Sequence, residues 1–276
     1  MTLGPADLVL CAGTLARASF RERIEAAVAG GYRGLSLFPS DVRRARAEGL
    51  DDSAMRGLLR DNELEVAELD PLMSWLPGVA PGEGAFATTE AECYEIAESI
   101  GGRSINAVVF PTEPIPRDVV VESFAALCDR AGDHGLLVHL EFMPWTQIAT
   151  ALDAFAIVDQ AGRTNGGIML DTWHHFRGSV ANEVLREQVP ADRILACQLN
   201  DAPIEAEEDV VEETLHHRRI PGDGDIDLPE ILRYLHEGGS PAPLGIEVFC
   251  DDLRERPPNE IATRCAEGVR VALGRR

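Results

Sequence analysis

Four short segments of the chain end an apolar run on an oxygen-bearing side chain: Leu137-Val-His-Leu-Glu141, Gly167-Ile-Met-Leu-Asp171, Leu195-Ala-Cys-Gln198 and Gly245-Ile-Glu247. Apolar runs of this length, bounded by turn residues, read as buried parallel strands. If the strand ends share one face, Glu141, Asp171 and Glu247 converge there, and three carboxylates at close range repel one another unless a cation lies between them. Glu141, Asp171, Gln198 and Glu247 are therefore candidate ligands of one divalent metal ion. Such an ion, chelating a carbonyl and a neighbouring hydroxyl, acidifies the adjacent C–H bond, and a carboxylate beside it can take the proton.

The elements needed to present these residues can be counted along the chain. Strands are expected at Leu8–Ala12, Gly34–Phe38, Glu65–Leu69, Ser104–Phe110, Leu136–Glu141, Gly167–Asp171, Ile194–Asn200 and Leu244–Phe249. Helical patterns fall between them. Ser19 precedes Phe20-Arg-Glu-Arg-Ile and Gly30-Gly31 closes that run; Asp52-Ser53 opens another, and Thr88-Thr89-Glu-Ala-Glu a third. Further helices are expected around Val119–Gly132, Trp145–Gln160, Ala181–Gln188, Leu228–Glu237 and Pro258–Leu273. Eight strand–helix units predict an α/β fold closed into a single (β/α)8 barrel over residues 1–276, whose chemistry sits at the C-terminal ends of the strands. An open doubly wound sheet is disfavoured because Ala12-Gly13-Thr14-Leu15 after the first strand is not a glycine-rich phosphate turn. The long stretches Pro71–Ala87 and Asp201–Asp227 both follow strands and are expected to wall the site.

Composition narrows the partners. A formal charge of −22 on 276 residues disfavours nucleic acid and anionic membrane surfaces, which require clustered Lys and Arg. No apolar stretch is long enough to span a bilayer, and Met1-Thr2-Leu3-Gly4-Pro5-Ala6-Asp7 lacks the basic-then-apolar order of a signal peptide. Six dispersed cysteines without a CxxC pair suit a reducing cytoplasm. The sequence is compatible with a homo-oligomer, dimer or tetramer.

With Glu141, Asp171-Thr-Trp-His174, Gln198-Leu-Asn-Asp201, Glu247 and Arg219-Ile-Pro-Gly-Asp-Gly224 in this order, the chain resembles the sugar isomerase/epimerase superfamily of xylose isomerase-like TIM barrels. Ketose 3-epimerases, inosose dehydratase, 3-dehydroshikimate dehydratase and, more distantly, endonuclease IV are members. The resemblance runs from the first strand to the eighth and implies that Glu141 and Glu247 form an acid/base pair as well as binding metal. It also implies that His174, or His175 beside it, and Arg219 contact substrate. Gln198 departs from the pattern, which has histidine there. A glutamine oxygen would make the site all-oxygen, and hard donors of that kind suit Mn²⁺ or Mg²⁺.

Trp145 and Trp173 can wall the pocket. His139, inside an apolar strand, is expected to be a hydrogen-bonded core residue, and Glu207–Asp209 with Glu212–Glu213 a solvated acidic loop. The expected activity is isomerisation or epimerisation of a small polyhydroxylated carbonyl substrate through a metal-stabilised enediolate. A lyase reaction on a cyclic keto-polyol, a dehydroshikimate-like acid or a 3-keto-glycoside begins with the same proton abstraction and is the alternative. A non-catalytic binding barrel ranks lower, and phosphoester hydrolysis of DNA lower still, given seven histidines and the acidic surface.

Overall fold

In a computed structural model of the protein, which describes residues 3–109 and 114–274, eight parallel strands close into a barrel in the order β1 to β8. They are Leu8–Leu10, Gly34–Leu37, Glu65–Leu72, Ser104–Ala107, Leu137–Glu141, Gly166–Asp171, Ile194–Leu199 and Leu244–Ile246. Phe110, the expected end of β4, and Met1 and Thr2 of the N-terminal segment lie outside the described residues. The third strand runs three residues past its expected end at Leu69. Pro71 cannot donate to the sheet ladder, and the register with β4 shifts between Leu69 and Leu72, which carries the strand past the proline.

Local chemistry fixes the surrounding helices. The first, Phe20–Gly30, starts on a reciprocal cap between Ser19 and Glu22 and stops at Gly31, whose φ of 73° favours glycine. The helix expected from Trp145 begins only at Ala151, because Thr150 and Asp153 form the same kind of cap there. Trp145 is thereby left in the loop above the barrel. Among the described residues, four short α-helices were not apparent from the sequence pattern: Pro39–Ala47, Thr172–Arg177, Val210–His216 and Asp251–Arg254. No helix among the described residues is long and apolar enough to cross a membrane.

The main apolar core lies between strands and helices, where residues such as Phe20, Phe124, Ile168, Leu170 and Val269 are fully covered. The barrel interior is different. Its upper part is filled by polar side chains, among them Ser36, Glu68, Asp70, Asn106, His139, Glu141, Asp171, Gln198 and Glu247, all buried. Strand register brings several of them side by side. Asp171 pairs with Gln198, and Gln198 with Gly245, two residues before Glu247.

Gly245 allows β8 to lie close against β7. A Cβ at this position would fall 2.4 Å from the Cys197 carbonyl oxygen, a backbone atom that cannot turn aside. Gly245→Ala is expected to cost about 1–3 kcal/mol through overpacking, seen as a fall of several degrees in melting temperature. An unchanged melting temperature would show that the β7–β8 contact has slack.

Candidate metal and active site

Asp171 ends β6 and also caps the helix Thr172–Arg177. Its Oδ1 accepts the His174 N–H at 2.9 Å. Helix geometry then brings the His174 ring back towards the barrel axis, where Nε2 lies 3.2 Å from Glu141 Oε1 at the end of β5. Ligating atoms from Glu141, Asp171 and His174 all fall within 4.8 Å of one another. Two more buried oxygens at this level, Gln198 Oε1 and Glu247 Oε1, have no hydrogen-bond partner. Carboxylate, amide and imidazole donors converging with unspent lone pairs fit a divalent cation, and the His174 imidazole means that the set is dominated by oxygen rather than all-oxygen as expected.

Five carboxylates (Glu68, Asp70, Glu141, Asp171 and Glu247) are buried in this interior. Facing them is the buried guanidinium of Arg218. Its Nη1 donates to Asp171 Oδ2 at 2.8 Å and to Glu247 Oε2 at 3.3 Å, while Nε and Nη2 are spent on Thr214. The ring of Phe249 lies beneath it, 5.2 Å away. Burial would raise the Asp171 pKa, but Arg218, His174 and hydrogen bonds from the His174 amide and Asn200 outweigh it and hold the group below its ordinary value. At Glu247 burial wins over Arg218 and the pKa is raised. Burial, followed by the nearby Glu141 charge, pushes Asp70 up to about 7. Glu68 is also raised, by burial and then by Asp70 and Glu141.

Above this floor lies a cavity of about 220 Å³. Its polar lining is Asp70, Glu141, His174, Thr214, Arg218 and Glu247. The rest is apolar, with Phe38, Phe86, Trp145 and Phe249 supplying rings and Met73 and Met143 filling between them. Both long segments contribute: Met73 and Phe86 come from 71–87, and Val211, Thr214, Leu215 and Arg218 from 201–227.

The expected site residues divide by position. Glu141, Asp171, Gln198, Glu247 and His174 meet at the barrel mouth, and Trp145 lines the cavity with its ring 5.3 Å from that of His174. Trp173 does not line it. It is fully buried, and its indole N–H donates to Glu213 Oε1 at 3.0 Å. His175 points away from the mouth and pairs through Nε2 with Asn182 Oδ1. Arg219 is exposed and donates to the Asp223 carbonyl. Parity explains this last difference. Arg219 pairs backbone to backbone with Asp201, and in extended chain neighbouring side chains point to opposite sides, so Arg218 takes the inward place. Glu213 is not part of a solvated loop; it is buried against Arg177 at 2.6 Å. His139 is buried as expected, but neither ring nitrogen has a hydrogen-bond partner, and burial lowers its pKa.

Sequence reasoning missed Glu68, Asp70 and Asn106, and favoured Arg219 over its neighbour Arg218. The first three had a signal: Glu68 and Asp70, Ser104 and Asn106, and His139 and Glu141 are polar pairs two residues apart on buried strands, the spacing of one strand face.

The chain belongs to the xylose isomerase-like TIM barrel family, whose sequence profile matches residues 24–270. It is 26% identical over 259 residues to a 3-dehydroshikimate dehydratase of Pseudomonas aeruginosa, a match that takes in 91% of this chain and 39% of that protein. The chain thus spans about two fifths of the length of that curated relative. An inosose isomerase of Bacillus velezensis is 25% identical over 251 residues, 86% of each chain. Among solved structures, that of the IOLI protein with a bound zinc atom superimposes with a TM-score of 0.85 over 97% of this chain and 98% of that one, at 20% identity. The relatives are thus enzymes of the dehydratase and isomerase classes.

Removing Arg218 tests the electrostatics of the floor. Arg218→Met keeps an unbranched apolar stem but leaves Asp171 and Glu247 without their shared cation, and should lower the unfolding free energy by about 3–5 kcal/mol in urea titrations. A loss below about 1 kcal/mol would mean that the two carboxyl groups do not depend on this charge.

Proposed function

We propose that this barrel is a divalent-metal-dependent lyase that removes water from a small cyclic β-hydroxy ketone of the dehydroshikimate type, with Mn²⁺ or Mg²⁺ as the ion. The sequence by itself favoured an isomerase or epimerase, which shares the first step. The observation that carries the lyase reading is the division of the cavity into a charged floor and an apolar wall. A ring with a hydroxyl on every carbon would press several of them against Phe38, Phe86, Phe249 and Met73, and each buried hydroxyl left unpaired costs about 1–3 kcal/mol. A ring with its ketone and hydroxyls along one edge and C–H along part of the other fits that division, with the ring carboxylate of a dehydroshikimate-type acid directed away from the apolar wall. The similarity to 3-dehydroshikimate dehydratases over most of the chain supports the same reading.

Glu141, Asp171, His174, Gln198 and Glu247 would hold the ion, which when bound polarises a ketone and favours negative charge on its oxygen. Glu247, whose Oε1 has no partner, removes the proton from the carbon beside the ketone. Glu141, backed by His174, gives a proton to the hydroxyl on the next carbon, which departs as water. Loss of one further ring proton leaves a flat aromatic product, which suits the aromatic rings that line the cavity. Trp145 and the segment carrying Val211 and Leu215 shield the floor from bulk water. The similarity to an inosose isomerase favours a second reading, in which the proton returns to the ring and no water is lost.

The two reactions separate in one assay. With 3-dehydroshikimate and Mn²⁺ the lyase produces a new aromatic ultraviolet band, and Glu247→Gln and Glu141→Gln slow it by about 10²–10⁴-fold while circular dichroism stays unchanged. Deuterium uptake from solvent into a keto-polyol, with no new ultraviolet band from either compound, would replace the lyase with the isomerase.

A further inference from the structure

The ends of a carboxamide are nearly equal in size but opposite in chemistry: oxygen accepts, and nitrogen only donates. Strand β7 fixes where Gln198 sits and leaves open which end faces the site. We propose that Asp70, held by Asn106, sets that choice, turning the Gln198 nitrogen away so that its oxygen is presented to the metal. The proposal rests on the metal reading above.

The geometry forms a line across four strands. Gln198 Nε2, on β7, faces Asp70 Oδ2, on β3, at 3.4 Å. Asp70 Oδ1 accepts from Asn106 Nδ2, on β4, at 2.9 Å, and the same nitrogen donates to Glu141 Oε2, on β5, at 2.6 Å. Asn106 therefore ties Asp70 to Glu141, itself a candidate ligand. A carboxylate is a pure acceptor, so it selects the nitrogen end of the amide that meets it. The opposite end, Gln198 Oε1, is buried and has no partner. Turning the amide over would set its oxygen against Asp70, acceptor to acceptor, and would aim an NH₂ group at a cation. Asp70 is thus a positioning residue acting through Gln198. Partners of this kind, one step removed from the ion, typically alter metal affinity by about 10–100-fold.

The test is Mn²⁺ binding to the full chain, measured by isothermal titration calorimetry at pH 8 without substrate. Asp70→Asn removes the pure acceptor and should weaken Mn²⁺ by about 10–100-fold. In a Gln198→Glu background the side chain has two equivalent oxygens and no wrong face. There Asp70→Asn should leave affinity unchanged or raise it, since it relieves repulsion between adjacent carboxylates. Equal losses in both backgrounds would show that Asp70 acts by charge alone and overturn the proposal, as would full affinity in the Asp70→Asn single variant. Asp70→Glu, which keeps the charge and displaces the acceptor by one methylene, provides a second measurement if Asp70→Asn does not fold. It should also weaken binding, and native affinity would overturn the proposal. No saturable Mn²⁺ binding by the wild type would remove the metal reading itself, a result distinct from binding that ignores Asp70.

Discussion

Burying five carboxyl groups inside one barrel is the constraint around which this protein is built. Moving a charged group out of water is unfavourable unless it is paired or fully hydrogen-bonded. The chain meets this demand unevenly. Asp171 is fully served, by Arg218, the His174 amide and Asn200. Glu247 shares the same guanidinium through one oxygen and keeps the other without a partner. Glu68 and Asp70 are left with raised pKa values, first by burial, then by Asp70 and Glu141 at Glu68 and by Glu141 at Asp70. A site with one carboxylate held ionised and others pushed towards protonation can accept a cation and move protons without rearranging.

The scaffold keeps that imbalance stable. Strand register, which no single side chain can shift, sets Asp171 beside Gln198. The cap at Asp171 starts a helix and orients His174 in the same stroke, so one carboxylate serves local structure and the site together. The segment 201–227 carries Arg218 in from outside the barrel, and its pairing with Asp201 decides which of two adjacent arginines enters.

The barrel and the strand-end carboxylates were readable in the sequence because both are short-range signals. An apolar run ending in Glu or Asp is visible within six residues, and eight strand–helix units leave few topologies. Asp70 was missed for a local reason: Pro71 reads as a strand stop, while the strand passes it by shifting register. Arg218 was passed over for a distant one. Its inward position depends on the pairing of its neighbour Arg219 with Asp201, eighteen residues earlier, across a loop whose path no local pattern fixes. Trp173 and Glu213 show the same limit, since each is buried by the other from a separate segment. Trp145 was mistaken for the start of a helix although Thr150-Ala-Leu-Asp153 already carried the spacing of a cap.

The floor alone does not choose between returning a proton and expelling water, because both reactions begin with the same C–H bond. In the proposed lyase reading, the wall makes the choice. A keto-polyol isomerase must hydrogen-bond its substrate around the whole ring, whereas here Phe38, Phe86, Trp145, Phe249 and two methionines face much of it. Such a wall gains most when the ring loses a hydroxyl and becomes flat, since buried aromatic surface is favourable and an unpaired hydroxyl is not. On the proposed lyase reading, the same apolar lining opposes binding of a fully hydroxylated ring and favours the product of elimination, which would place selectivity for the reaction in residues that never touch the proton.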